Sequence, residues 1–285
     1  MAVQPLLFSA EDMMLAVLDS QAHDTYFNNP DANGKWWWHA SSLAFGCIRR
    51  MVLERACRTT GAIPLDPTPL DGRMNMLIGT LWHEAVERGV RYLPTILPGA
   101  SVEVLHVEEA FYHKDIPLVA KPDGVFRING RIVVYDIKTE KTNSAKYRAQ
   151  EARDEGRHTT AKPDHQLQLA AQALCLESNG VGPVEQGMIY YIERNNGWLE
   201  APPVDLSGSI QRLQVKRIVD QAEAAWAAFV QGSKEGRVVL PPRLPGALEA
   251  GRDGKPWNCR VQSTQTKHGK YCTVASFCQD RRLPG

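Results

Sequence analysis

Apolar residues recur along this chain in two rhythms. A helical period runs through MMLAVL after Ser9 and Asp12, and through HASSLAFGCIRRMVLERAC, where Ser41 or Ser42 can cap the helix. It returns in MNMLIGTLWHEAVERGVRYL, with Ile78, Trp82, Ala85, Val86 and Val90 on one stripe. DHQLQLAAQALCLESNG, stopped by Asn179-Gly180, and the long SGSIQRLQVKRIVDQAEAAWAAFVQG complete the predicted helices. Strands are predicted at SVEVLHVEEAFYH, IPLVAKPDGVFRI, RIVVYDIKT and QGMIYYIERN. GAIPLDPTPLDG is a loop, and beyond Leu240 the segment PPRLPGALEAGRDGKPW has no period at all. The order predicts an α/β (α+β) fold with a small mixed central sheet flanked by helices. Its expected parts are an N-terminal helical region over 1–73, a core over 74–205, and a long helix with an irregular tail over 206–285.

One stretch fixes a register. Asn129-Gly130 between two β-rich runs predicts a type I′ hairpin, because both central residues need positive φ. A two-residue loop pairs Ile128 with Arg131 and sets Asp123 opposite Asp136. Period two then puts Gly124, Phe126, Ile128, Val133, Tyr135 and Ile137 on one apolar face, with Asp123, Val125, Val134, Asp136 and Lys138 on the other. Opposed carboxylates about 5 Å apart repel by roughly 3 kcal/mol at an effective dielectric near 20. A divalent cation between them offsets that cost, and oxygen ligands suit magnesium or manganese. Carboxylates at a frayed sheet edge, paired with Lys or Arg, are the other reading.

Composition narrows the class. The chain has 285 residues, 43% of them hydrophobic and 23% charged, as in a globular protein with a substantial core. MAVQPLLFSAEDMML has no basic region and meets Glu11 and Asp12 early, and no apolar run has membrane-spanning length. A soluble, cytoplasmic protein without membrane contact is the expectation. Net charge is only +1, so contact with nucleic acid must come from local patches. CIRRMVLERACR offers Arg49, Arg50, Arg55 and Arg58, whereas KTEKTNSAKYRAQEARDEGR interleaves acids and reads as a solvated helix face.

GTLWHEAVE, KPDG, YDIKT and HQLQLAAQ, in that order, resemble the G-x-x-x-H-E, P-D, D-x-K and Q-x-x-x-Y motifs of the RecB-like branch of the PD-(D/E)xK nuclease superfamily. The resemblance implies a restriction-endonuclease-like core. It implies that His83, Asp123, Asp136 and the backbone carbonyl of Ile137 hold one or two magnesium or manganese ions. Lys138 would position or polarise the attacking water, and Gln168 would orient the site or the phosphate. Gln172 stands where the family has tyrosine, so the tyrosine's role is not carried over.

The six cysteines extend the likeness. Cys47, followed by Arg49 and Arg50, resembles the N-terminal cysteine of the CRISPR-associated exonucleases of the fourth Cas family and of AddB-type nucleases. Cys259, Cys272 and Cys278 match their C-terminal trio, which implies a four-iron, four-sulphur cluster joining the tail to the N-terminal helices. Cys259 lies thirteen positions before Cys272, with RVQSTQTKHGKY inserted, and four cysteines also suit structural zinc. Cys57 and Cys175 fall on apolar helix faces and read as core.

The function so implied is a metal-dependent DNA exonuclease acting on single-stranded ends. The alternative is a non-catalytic DNA-end-binding adaptor, or a subunit of a recombination or CRISPR-adaptation complex. Other candidates have plainer readings. Glu108 and Glu109 end a strand and could supply an extra acidic ligand, but a solvent-exposed pair is the plainer reading. KWWWH could stack bases, but a hydrophobic plug is the plainer reading, and His165 and His268 carry no ligand spacing.

Overall fold

The structure, a computed structural model, describes residues 34–44, 46–60, 70–92, 95, 101–141, 143–194, 199–243, 274 and 278. The predicted first helix, Cys259, Cys272 and His268 lie outside the described residues.

The hairpin forms in the predicted register. Asn129 and Gly130 take φ of 50° and 82°, and β5 (Gly124–Ile128) pairs antiparallel with β6 (Arg131–Glu140), Ile128 opposite Arg131 and Gly124 opposite Tyr135. β2 (Val102–Val107) flanks β5, and β7 (Val184–Glu193) lies parallel to β6 on its other side. Parallel neighbours need a long crossover, here carried by α4 (Ser144–Asp154) and α5 (Pro163–Ser178). Two short strands, β8 (Leu199–Glu200) and β9 (Pro203–Asp205), finish the sheet against β7. A second, three-stranded sheet has the order β1 (Trp38–His39), β4 (Leu118–Ala120), β3 (Phe111–Tyr112).

Both faces of the main sheet are covered. Phe126, Tyr135, Ile137 and Ile192 pack under Trp82, Val86 and Val90 of α3 (Leu70–Val90). Val125 and Val134, on the hairpin's other face, pack instead on Leu169, Ala173 and Leu176 of α5, so that face is apolar except where the charged residues stand. The packed line of α3 runs through every fourth residue, and Ala85, predicted on that stripe, is exposed. His83 and Glu87, one step aside from that line, are left half-buried at its edge.

The helix predicted across HASSLAFGCIRRMVLERAC is two helices, α1 (Ala40–Ala44) and α2 (Ile48–Thr60). Gly46, at φ 61°, ends the first. Cys47 caps the second, its carbonyl accepting from Met51 N–H (3.1 Å) and its Sγ from Arg50 N–H (3.4 Å). α6 (Ser209–Lys234) matches the predicted long helix and packs on α5 and α2. The tail returns to this corner: Val274 and Cys278 are buried with Val52, Leu53, Cys57 and Leu240. Cys175 is buried as expected. Among the described residues, no helix is long and apolar enough to cross a membrane.

Candidate active site

The end of β2 and the start of β5 meet beside the middle of β6. β5 and β6 pair as far as Gly124 and Tyr135, and one step further stand Asp123 and Asp136. β2 pairs with β5 through a bulge between Val104 and His106, which brings Val107 opposite Gly124 and the next residue, Glu108, beside Asp123. Glu108 takes φ 54°, a left-handed conformation that costs a non-glycine residue energy and turns its side chain inward. Gly124 is required here, since a Cβ would collide with the ring of Tyr135 lying across it.

The two aspartates do not simply face each other. Asp123 Oδ2 accepts from the Ile137 backbone N–H at 2.5 Å, and Oδ1 lies 3.1 Å from His83 Nδ1. Asp136 Oδ1 accepts from Gln168 Nε2 (2.7 Å) and Gln172 Nε2 (3.0 Å), while Oδ2 lies 2.5 Å from Lys138 Nζ. Glu108 is ion-paired with Lys121 and lies 4.0 Å from His83 Nδ1. The α3 layer thus supplies a partner to Asp123, and the α5 layer supplies partners to Asp136.

Electrostatics follow from this crowding. Burial and the neighbouring Asp136 charge raise the Asp123 carboxyl to about 7, against the pull of His83. Burial alone would lower the His83 imidazole, but its bonds to Asp123 and Glu108 outweigh that and raise it to about 10. Burial would raise Glu108, yet His83 and Lys121 bring it down to about 2. Lys138 is also raised, its burial outweighed by Asp136 and Asp123. It is an ammonium at neutral pH, a donor and a fixed positive charge rather than a base.

A hard cation fits this donor set. One nitrogen of His83 and one oxygen each of Glu108 and Asp123 lie within 4.8 Å of one another. His83 Nδ1 lies 3.1 Å from Asp123 Oδ1 and 4.0 Å from Glu108 Oε1, both within the about 4.2 Å that separates opposite ligands of a magnesium ion. Carboxylate oxygens with one imidazole suit magnesium or manganese.

The predicted residues divide between the two halves of this cluster. His83 and Asp123 come together with Glu108, which was expected to be a solvent-exposed acid and is half-buried in the site. Asp136, Lys138 and Gln168 form the adjoining half, joined by Gln172. Ile137 brings its amide N–H to Asp123. Glu84, next to His83, is exposed, as the helical offset requires.

Further groups adjoin the centre. Burial and the charge of Lys138 lower the His39 imidazole to about 4, and its Nδ1 lies 2.7 Å from Ser41 Oγ. His165 Nδ1 meets Tyr191 Oη at 2.8 Å, in a layer that also holds a buried ion network. In it Arg148, only 2% exposed, pairs with Glu140 and with Glu200 (2.7 Å), and Lys162 pairs with Glu140 (3.0 Å). The stretch read as a solvated helix face therefore buries its central arginine. The arginine patch of α2 is mostly consumed as well. Arg49 is buried and donates to Pro241 O (2.7 Å), Arg50 pairs with Glu54 (2.8 Å), and Arg55 with Glu223 (3.1 Å). A cavity of about 930 Å³ lies at the far end of β6, around Gly130 and Arg131, and contains none of the site residues.

Comparison with known proteins places this geometry. Among solved structures the fold is similar to the crystal structure of SSO0001 (12% identity, 77% of this chain and 88% of that one, TM-score 0.42). It is similar also to an alkaline exonuclease, LHK-Exo, from Laribacter hongkongensis (18% identity, 70% and 94%, TM-score 0.45). The same exonuclease in complex with dAMP gives 18% identity over 70% and 91%, with TM-score 0.44. No curated protein matches the chain. The family model of the PD-(D/E)XK nuclease superfamily matches residues 55–279, spanning both halves of the site, and the chain belongs to that superfamily.

Proposed function

We propose that this protein is a divalent-metal-dependent DNA exonuclease of the RecB-like branch that acts on single-stranded ends. One observation carries the reading. Two buried carboxylates, Asp123 just before β5 and Asp136 within β6, are held by different layers, Asp123 with His83 and Glu108, and Asp136 with Lys138 and two glutamine amides. A protein that only binds DNA gains nothing from such a concentration of buried acid. Membership in a nuclease superfamily supports the same conclusion.

His83, Glu108 and Asp123 would hold the cation, with Asp136 and the Ile137 carbonyl completing its shell. When bound, magnesium or manganese supplies charge neutralisation at the phosphate and a lowered pKa for an attacking water. The remaining work belongs to the chain. Lys138 keeps its proton and presents Nζ–H donors toward the phosphate oxygens, where negative charge builds in the transition state. Gln168 and Gln172 hold Asp136 against rotation. Tyr135 and Phe126, stacked at 4.8 Å, close the sheet beneath the site and exclude water.

The tail belongs to the same reading. Cys278 lies close enough to Arg49 to act on its guanidinium, as does Cys47, so the first and last cysteines converge on one residue. With Cys259 and Cys272 they would ligate a four-iron, four-sulphur cluster that ties the tail to α2, structural zinc being the alternative. Iron, sulphide and zinc analysis of anaerobically purified protein separates the two. Action within a recombination or CRISPR-adaptation complex is consistent with a chain that carries the nuclease centre and a tethered tail.

The test is incubation with end-labelled single-stranded DNA and magnesium or manganese, beside EDTA and an Asp136→Ala control. Cation-dependent shortening that the variant lacks supports the reading, and the label position gives the polarity. Tight binding without cleavage moves the assignment to the adaptor.

A further inference from the structure

Beside β1 lies a shallow crevice lined by Trp36, Trp37, Trp38, His39, Arg55 and Arg58, among others. Its floor is rigid. Trp38 is 4% exposed and donates from Nε1 to Glu223 at 2.6 Å, and the Arg55 guanidinium lies 4.5 Å over the Trp38 ring and 4.8 Å over Trp226. Its rim is different in kind. Trp36 and Trp37 are half-buried, the Lys35 ammonium lies 3.8 Å over Trp37, and Tyr112 meets Trp37 edge-on at 4.9 Å. A plug needs only Trp38, so burial does not explain two further indole rings at the rim.

The charge of this rim points to an anion. Glu54 is neutralised by Arg50, and Arg55 by Glu223. Arg58, one turn along α2 from Arg55, is half-buried, and Glu54, one turn back and also lining the crevice, acts on its charge without lying in a salt bridge with it among the described residues.

Position ties the crevice to the catalytic centre. Trp38 and His39 pair with Leu118 and Val119 of β4, and the chain leaving β4 runs directly into Lys121 and Asp123. Trp37 precedes His39 by two residues, about 7 Å along an extended chain. His39 stands where the fields of Lys138, Asp136 and Lys121 are all felt. β1 runs parallel to β4, so Trp36 and Trp37 stand at the far end of this strand pair and the crevice approaches the acids through His39, which lines it.

We propose that this crevice is a subsite for an unpaired DNA strand leaving the catalytic carboxylates, taking one base against the Trp36–Trp37 platform and one phosphate at Arg58. The identity of the ligand rests on the nuclease reading. The crevice, about 40 Å³, is too small to enclose a nucleotide, so the base lies across it. An aromatic platform accepts any base face, but a base stacked within a duplex has no free face to offer. The subsite therefore selects unpaired over paired DNA without reading sequence.

The experiment is fluorescence anisotropy of labelled oligothymidylate, and of a blunt duplex of equal length, with the full chain in EDTA, where hydrolysis cannot contribute. Trp36→Ala with Trp37→Ala weakens oligothymidylate binding about tenfold and leaves duplex binding unchanged, as the loss of one base stack requires. The matching Phe pair retains most of the affinity. Arg58→Gln weakens oligothymidylate binding and lowers its salt slope by about 0.7, one phosphate contact. Unchanged oligothymidylate affinity in the folded Ala pair and in Arg58→Gln overturns the subsite. If circular dichroism shows the Ala pair unfolded, the Phe pair and Arg58→Gln decide alone. Wild-type hydrolysis with no effect of these variants rejects the subsite and leaves the nuclease reading standing. Tryptophan-dependent binding without hydrolysis does the reverse.

Discussion

Gln172 donates a hydrogen bond to Asp136 Oδ1 at 3.0 Å, beside the 2.7 Å bond from Gln168 one helical turn earlier. Gln172 stands where the motif that HQLQLAAQ resembles has tyrosine, and here it gives Asp136 an amide donor. Gln172→Ala removes one of two amides from a buried acceptor and is expected to cost about 1–3 kcal/mol of stability. Activity or metal affinity should fall by about 10–100-fold, as for other groups that orient a ligand. Urea unfolding and metal titration of the single and double glutamine variants check both figures.

Metal binding should release protons. Without cation, His83 titrates near 10 and Asp123 near 7, so a cation at these groups displaces about two protons at pH 6 and about one at pH 8. Affinity for manganese therefore tightens as pH rises. Calorimetry in buffers of different ionisation heat counts the protons directly, and a pH-independent affinity would contradict the assignment of His83 and Asp123 as ligands.

The same shifts set the stability of the cation-free protein. Both folded-state values lie above the ordinary ones, 6.5 for His83 and 3.8 for Asp123. Each contribution is thus fully present below the ordinary value and lost as pH rises through the folded one. Cation-free protein is expected to lose thermal stability progressively from about pH 4 to pH 10 on account of these groups, and magnesium should restore it at the alkaline end. Melting curves with EDTA and with magnesium at pH 6 and 9 test the sign.

Arg148→Met leaves Glu140, 7% exposed, without its arginine, and should cost about 3–5 kcal/mol as a broken buried pair. Chemical unfolding measures it. Replacing an arginine on a truly solvated helix face would cost almost nothing, so the size of the effect separates the two descriptions of α4.

What the sequence made legible was local. Asn129-Gly130 determined the hairpin, and with it the approach of Asp123 to Asp136, because turn geometry and strand period leave one register. Glu108 was legible only as one of two acids at a strand end, with a solvent-exposed pair the plainer reading. It reaches the site through a bulge in β2 and a left-handed residue, and neither has a signature in VEVLHVEEAF. Arg148 looked solvated because its partners lie outside its helix, Glu140 at the end of β6 and Glu200 on the distant β8. The break at Gly46 was hidden by apolar spacing that continues across it, and β1 by a tryptophan run that has no alternation.

The most direct measurement compares Glu108→Gln with Glu109→Gln in hydrolysis of end-labelled single-stranded DNA with magnesium or manganese. Glu108 stands at the strand-end cluster, whereas its neighbour pairs with His106 outside it. The account predicts that wild type and Glu109→Gln shorten the strand alike and that Glu108→Gln is slower by at least about 100-fold. Equal cleavage by both variants, or none by the wild type with either metal, would contradict it.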